Sequence, residues 1–120
     1  MAIPHEISRQ RYISLITFRK NGVPVPTPVW FGELNDRLYV MTRTISGKYK
    51  RIRNNPQVKI APCTIRGKVT GPEFAATARI LPQDQWAKAK KTITDKYWLA
   101  RMPFLWSKTD AYFEIEVGAE

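Results

Sequence analysis

Segment 42–51 carries side chains whose types and spacing suit the binding of a phosphate group. Hydroxyls recur at Thr42, Thr44 and Ser46, where a predicted strand leads into a predicted helix. The free N–H groups and the positive dipole at a helix start both attract anions. Lys48 and Arg51 are three residues apart, so both cations can lie on one side of that helix. The predicted phosphate-binding residues are Thr42, Arg43, Thr44, Ser46, Gly47, Lys48 and Arg51.

This pattern also has a purely structural interpretation, since the glycine-rich P-loop motif is absent. Ser46 is a good N-cap for a helix over 46–55, and Pro56 would end that helix. In this interpretation Ser46 only caps the helix and the neighbouring cations are only solvated.

A second candidate feature is a strand in which prolines alternate at Pro24, Pro26 and Pro28. Alternate residues of a strand point their N–H groups toward the same neighbour, so all three prolines remove donors from one side. That side must lie at a sheet edge or at an opening of a barrel. The edge either protects against aggregation or supports a flat ligand near Trp30, and both interpretations stay open.

Positive charge is concentrated in the same part of the chain. The 120 residues include 20 lysines and arginines against 10 acidic residues, which gives a net charge of +10. Between Asp36 and Glu73 there are nine basic residues and no acidic one. This balance predicts an anionic partner, although a solvated basic face would have the same composition.

Several classes of site and location are excluded by what the sequence lacks. Cys63 and His5 are the only cysteine and histidine, so no intrachain disulfide or His/Cys metal cage is possible. No apolar run reaches the ~18 residues of a membrane span, and the first residues lack the apolar core of a signal peptide. We expect a cytoplasmic protein, with His5 in a mobile N-terminus and Cys63 in the core. No residue is assigned as catalytic or as a metal ligand.

Alternating patterns and turn residues predict six strands, and two further segments have helical periodicity. The predicted strands cover 11–19, 24–33, 38–42, 57–63, 74–81 and 112–117, and the predicted helices cover 46–55 and 83–101. Hydrophobic residues make up 43% of the chain, enough for a packed core. We therefore predict one domain over residues 1–120, a mainly β fold in which two helices close a small antiparallel barrel or sandwich.

Residues 11–82 resemble the flavin-binding split-barrel superfamily named for pyridoxamine 5′-phosphate oxidase. The most specific matches are the T-x-x-x-S-x-K pattern of Thr42, Ser46 and Lys48, the RIRNNPQV segment after it, and the APC, RG and TGP segments. Within the superfamily the chain is most similar to the short bacterial branch of deazaflavin-dependent enzymes.

The resemblance implies a six-stranded antiparallel split barrel that forms a homodimer. FMN or a deazaflavin coenzyme of the F420 type would lie at each subunit boundary, with its phosphate on the segment matching 42–51. The ring would lie along the strand matching 24–31, and the partner would cover the aromatic residues near the end of the chain. The implied ring-binding residues are Pro26, Thr27, Pro28, Val29 and Trp30, and the covered aromatic residues are Trp98, Phe104 and Trp106.

The implied function is an oxidoreductase that transfers hydride between a reduced deazaflavin, or FMN, and a small organic acceptor. Oxidation of pyridoxamine phosphate is not expected, because those oxidases carry an Arg and a Lys where this chain has PTPVWF and extend farther beyond the last strand. Deazaflavin coenzymes also carry an oligoglutamate chain, which suits the excess of positive charge.

Two alternatives to an enzyme remain. One is a non-catalytic carrier of a flavin, a deazaflavin or a tetrapyrrole. The other is a basic β-barrel that binds nucleic acid through phosphates and stacked aromatic side chains. The densest cations lie at one helix start beside hydroxyls rather than along strands, which disfavours nucleic acid.

Overall fold

The structure is a computed structural model, which describes residues 3–8, 10–96 and 109–118. Within these ranges, seven strands form one antiparallel sheet in the order β2-β1-β5-β6-β7-β4-β3. The strands are β1 Tyr12–Phe18, β2 Pro24–Trp30, β3 Gly32–Leu34, β4 Arg37–Thr42, β5 Gln57–Cys63, β6 Phe74–Ile80 and β7 Ala111–Val117. The α-helices are α1 His5–Ser8, α2 Gly47–Asn54 and α3 Trp86–Lys96, and a 3-10 turn at Gln83–Gln85 leads into α3.

The sheet curls into a half-barrel because one face of almost every strand is apolar and buried. The inward face of β1 places Ile13 and Leu15 in the core, and β7 contributes Phe113, Ile115 and Val117. Glu114 and Glu116 alternate with these residues on the opposite face, as the period of two requires. The mainly β, antiparallel architecture predicted from the sequence is confirmed.

The predicted strand 24–33 is two strands, so the sheet has seven strands instead of the six predicted. β2 pairs with β1, whereas β3 pairs with β4 at the opposite edge of the sheet. Between them Phe31 is fully buried in the core, and the chain changes its pairing partner at this residue. An alternating sequence pattern cannot show such a change, because alternation indicates which face of a strand is buried and does not indicate which strand it pairs with.

A short helix precedes the first strand where a mobile N-terminus was expected. Ile7 of α1 is fully buried in the core of the half-barrel, with Ile3 packed beside it. His5 lies on the exposed side of this helix. The expectation of mobility is therefore wrong for residues 3–8, because Ile7 anchors α1.

A second apolar cluster lies on the outer face of the sheet, beneath α3. Ala89 and Ile93 of the helix pack against Tyr39 and Tyr112 of the strands. Trp30, at the end of β2, packs against the same cluster. The predicted helix over 83–101 is confirmed as far as Lys96. Its remainder, with Trp98, Phe104 and Trp106, lies outside the described residues.

We expect Gly32→Ala to lower the midpoint of thermal unfolding. An added Cβ would lie 2.8 Å from the main-chain carbonyl of Thr92 in α3 and equally close to its methyl group. Overpacking of this kind costs about 1–3 kcal/mol. Adding Thr92→Ser removes the methyl group, keeps the hydroxyl that donates to the Lys88 carbonyl, and leaves the main-chain carbonyl in place, so the double variant should regain little stability in calorimetry. A midpoint for Gly32→Ala equal to that of the unmodified chain would contradict the close packing of β3 on α3.

Candidate functional site

β2 lies at an edge of the sheet, as its prolines predicted. It pairs with β1, and its three prolines are exposed while Val29 is buried in the core. The N–H groups of Val25, Thr27 and Val29 point toward β1, because alternate residues serve alternate sides. The outer side of β2 therefore offers carbonyl acceptors and no N–H donors at the proline positions.

A cleft of about 350 Å³, here called the β2 cleft, opens beside this edge. Its residues come from β1, β2, β4, the start of α2 and the loop after β5. They are Tyr12, Pro28, Val29, Trp30, Met41, Lys48 and Ile65. The structure thus brings part of the predicted ring-binding strand and the predicted phosphate-binding lysine to one place. Pro26 and Thr27 lie farther along the same edge and do not line the cleft.

Lys48 carries the positive charge in the lining of the β2 cleft. Its side chain is partly buried, and burial lowers the pKa of Lys48, with a further contribution from the positive charge of Arg51. Among the residues with assigned structure, no carboxylate lies within ion-pair distance of Lys48. An anion in the cleft would offset both the desolvation and the repulsion.

Arg51 points back over the first turn of α2 and does not line the β2 cleft. Its Nε donates a hydrogen bond to Thr17 Oγ1 at 2.6 Å. A Cβ on Gly47 would lie 2.6 Å from Nη1 of Arg51, so the glycine leaves room for the guanidinium. Burial, followed by the charge of Arg19, lowers the pKa of Arg51.

The guanidinium of Arg51 borders a second opening of about 440 Å³, here called the basic cleft. This cleft lies between the end of β1 and the exposed face of α2. Its residues are Phe18, Arg19, Lys20, Lys50, Arg51, Asn54 and Asn55. Four of these side chains are cations and none is acidic, so the cleft suits a ligand with several negative charges.

The start of α2 is capped by Ser46 as predicted. Its Oγ accepts the N–H of Tyr49 at 3.2 Å and lies 3.0 Å from Thr42 Oγ1. The amides of Gly47 and Lys48 have no hydrogen-bond acceptor in the described part of the chain. Capping therefore uses Ser46 without using the two amides that an anion would need.

Thr44 is hydrogen-bonded to the carboxylate of Asp110, a contact that was not predicted from the sequence. Its amide and its hydroxyl donate to the two carboxylate oxygens of Asp110, at 2.7 and 2.9 Å. These hydrogen bonds, the amide first, lower the pKa of Asp110. The amide of Asp110 donates to the carbonyl of Thr42, which ties this loop to the start of β7. Arg43 is exposed beside this pair.

Three residues of the β2 cleft were not predicted: Tyr12, Met41 and Ile65. Tyr12 stands directly opposite Trp30 in the β1–β2 ladder, so the hairpin turn at Asn21-Gly22 already implied their proximity. Met41 and Ile65 reach the cleft through tertiary packing alone, and no local pattern signals it.

Cys63 is buried, and burial raises the pKa of its thiol, which agrees with a role in the core. Across residues 3–8, 10–96 and 109–118, no cluster of three His, Cys, Asp or Glu side chains is placed to hold a metal ion. Over the same ranges, no helix has the length and hydropathy needed to cross a membrane.

We expect Lys48→Met to weaken the binding of FMN, the phosphorylated flavin that the resemblance implies, and to change riboflavin binding much less. A hydrogen bond to a charged group contributes about 1.5–3 kcal/mol, or roughly ten- to a hundredfold in the dissociation constant. The affinity of the unmodified chain for FMN should also fall at alkaline pH as Lys48 loses its proton, at a lower pH than for an exposed lysine.

Fluorescence titration measures both effects. Lys50→Met is the matched control, because Lys50 lies on the same helix but lines the basic cleft. Equal FMN affinity in Lys48→Met and the unmodified chain would show that the phosphate lies elsewhere.

Comparison with known proteins identifies the family of the chain. The family model described as pyridoxamine 5′-phosphate oxidase matches residues 2–115. A search of curated proteins gives no match.

Solved structures show the same fold at low sequence identity. An F420 reductase is 23% identical, with 98% of this chain and 97% of that chain covered and a TM-score of 0.69. A pyridoxamine 5′-phosphate oxidase-related, FMN binding protein from Nostoc punctiforme is 19% identical, with 89% and 70% covered and a TM-score of 0.61. The heme storage protein HutZ from Vibrio cholerae is 15% identical, with 93% and 84% covered and a TM-score of 0.69.

Two further matched structures are longer, and the chain spans 49% and 53% of their lengths. The family match covers nearly the whole chain, including every strand up to the middle of β7. The chain therefore belongs to the pyridoxamine 5′-phosphate oxidase family.

Proposed function

We propose that this chain is a cytoplasmic oxidoreductase that binds a phosphorylated deazaflavin, or FMN, in the β2 cleft and transfers hydride to a small organic acceptor. The observation that carries the proposal is the position of Lys48. This partly buried ammonium, without a carboxylate in ion-pair distance among the described residues, lines the same cleft as Trp30 and the proline edge.

The residues of the β2 cleft fit a flat ring joined to a phosphate. The open edge of β2 offers carbonyl oxygens that accept from ring N–H groups, and Trp30 and Pro28 provide apolar surface. At the other side, the amides of Gly47 and Lys48 and the Lys48 ammonium are donors for a phosphate. The bound cofactor would supply the hydride chemistry, while the chain binds it, orients it and limits the access of water.

The basic cleft favours a deazaflavin coenzyme over FMN. Arg19, Lys20 and Lys50 have no ion pair with a carboxylate among the described residues. Arg51 connects the start of α2 to this cleft, so a cofactor whose phosphate is at α2 can extend into it. An oligoglutamate chain supplies several carboxylates at this position, whereas FMN ends at its phosphate.

A tetrapyrrole carrier is the second candidate, because a heme storage protein is among the structural neighbours. Haem proteins hold the iron through an axial side chain, most often histidine. His5 is the only histidine of the sequence, is exposed on α1 and lines neither cleft. This arrangement favours a flavin or deazaflavin over haem.

Titration of the purified chain with FMN, with the deazaflavin coenzyme and with hemin tests the proposal. We expect saturable binding of the deazaflavin coenzyme, with weaker binding of FMN. Turnover is then measured by oxidation of the reduced cofactor in the presence of a quinone. Saturable binding of neither flavin nor deazaflavin by folded protein would contradict the proposal, and tight stoichiometric binding of hemin would favour the carrier.

The double variant Arg19→Gln/Lys20→Gln tests the role of the basic cleft. Exposed charge pairs contribute up to ~1 kcal/mol each, so we expect about a tenfold loss of affinity for the deazaflavin coenzyme. High salt should reduce the difference, because it screens exposed charges. Lys90→Gln/Lys91→Gln on α3 removes the same charge outside both clefts and is the control. An equal loss of coenzyme affinity in both double variants would contradict the role of the basic cleft. An equal loss of FMN and coenzyme affinity in Arg19→Gln/Lys20→Gln would also contradict it.

We also propose that the chain forms a homodimer that covers the rim of the β2 cleft. Ile65, which lines the cleft, is 65% exposed, and Val69 in the same loop is 45% exposed. Apolar side chains this exposed beside an open strand edge are typical of an interface. We expect a dimer mass by light scattering, and a shift toward monomer in Ile65→Lys/Val69→Lys. A monomer mass for the unmodified chain at micromolar concentration would contradict the dimer.

A further inference from the structure

Tyr12 occupies a position in the β2 cleft that neither the phosphate site nor the ring strand accounts for. It is the first residue of β1 and lines the cleft together with Lys48 and Trp30. In the sheet it stands between Trp30 of β2 and Cys63 of β5. Its side chain is partly buried, so its ring forms part of the wall and is not an exposed surface group.

The hydroxyl of Tyr12 has no hydrogen-bond partner among the described residues. Tyr39, by contrast, donates to Glu114 at 2.8 Å. A tyrosine hydroxyl that becomes buried usually finds a partner, because an unpaired buried hydroxyl costs free energy. Any molecule that fills the cleft would bury this hydroxyl and must then supply the partner itself.

The charged and main-chain donors of the site are already assigned to the cofactor. The phosphate requires Lys48 and the amides at the start of α2, and the open edge of β2 offers acceptors to the ring. Two uncharged side-chain donors remain in the lining, the Tyr12 hydroxyl and the Trp30 indole N–H, and Met41 and Ile65 add apolar surface. This combination suits a flat, uncharged molecule with an oxygen that accepts one hydrogen bond.

We propose that Tyr12 determines acceptor specificity: its hydroxyl hydrogen-bonds a carbonyl oxygen of a flat, conjugated acceptor that enters the β2 cleft beside the cofactor. This inference rests on the proposed function, because it concerns the second molecule in the same cleft. Tyr12 acts here by binding and positioning the acceptor.

The test is equilibrium binding without turnover. Protein loaded with oxidised FMN, or with the oxidised deazaflavin coenzyme if FMN does not bind, is titrated with menadione, a flat quinone. Both molecules are oxidised, so no electron transfer occurs, and binding is followed by the shift in the cofactor absorption band. In Tyr12→Phe we expect menadione affinity to fall about fivefold, the effect of one neutral hydrogen bond. Cofactor affinity should stay within about twofold.

Tyr49→Phe is the matched control, because Tyr49 packs against Phe113 and Arg53 and does not line the cleft. It should leave both affinities unchanged.

Unchanged menadione affinity in Tyr12→Phe would overturn the inference, as would an equal loss in both variants. A loss of cofactor affinity instead would assign the hydroxyl to the cofactor and also overturn it. If the unmodified chain binds the cofactor but not menadione, the acceptor class is wrong, whereas failure to bind any cofactor refutes the proposed function itself.

Discussion

The burial of the Lys48 ammonium, to which the positive charge of Arg51 adds, is the constraint on which the account of the site depends. Both cations are partly buried at the start of α2, and burial together with like charge nearby lowers the pKa of each. Thr17 gives Arg51 a hydroxyl partner, but a hydroxyl does not neutralise charge. An anion between the helix start and the β2 edge would offset this cost at Lys48, which is why we propose that a phosphate binds there.

The topology of the sheet places the remaining parts of the site around these charges. Although β2 and β3 are consecutive in the chain, they lie at opposite edges of the sheet, and the buried side chain of Phe31 marks the crossing. Among the described residues, the crossing leaves the outer side of β2 without a strand partner, and it packs Trp30 against the cluster beneath α3. An open backbone edge, an aromatic side chain and a cation therefore meet in one cleft. The basic cleft continues from the same helix on its other side.

The parts of this arrangement that depend on local chemistry were predictable from the sequence. The helix capped by Ser46 and the edge position of the proline strand both follow from neighbouring residues, because caps and missing N–H groups are properties of a few positions. Helical spacing also placed Lys48 and Arg51 on one side of α2. Their side chains nevertheless line different clefts, because Arg51 bends back over Gly47.

The parts that depend on long-range packing were not predictable. Thr44 and Asp110 are 66 positions apart, and no local pattern connects them. The split of segment 24–33 into two strands depends on which neighbour each half pairs with. Ile7 likewise anchors α1 in a core that exists only once the strands of the half-barrel have packed together.

The most direct test of the central claim is an NMR titration that follows the backbone amides of Gly47 and Lys48 in labelled protein. Addition of FMN should shift both amides strongly, together with the amides of Val29 and Trp30 and the indole of Trp30. Riboflavin, which has the ring but no phosphate, should shift the β2 signals and leave the two helix-start amides nearly unchanged. If FMN shifts the signals of β2 while Gly47 and Lys48 do not respond, the phosphate is not held at the start of α2, and the account is wrong.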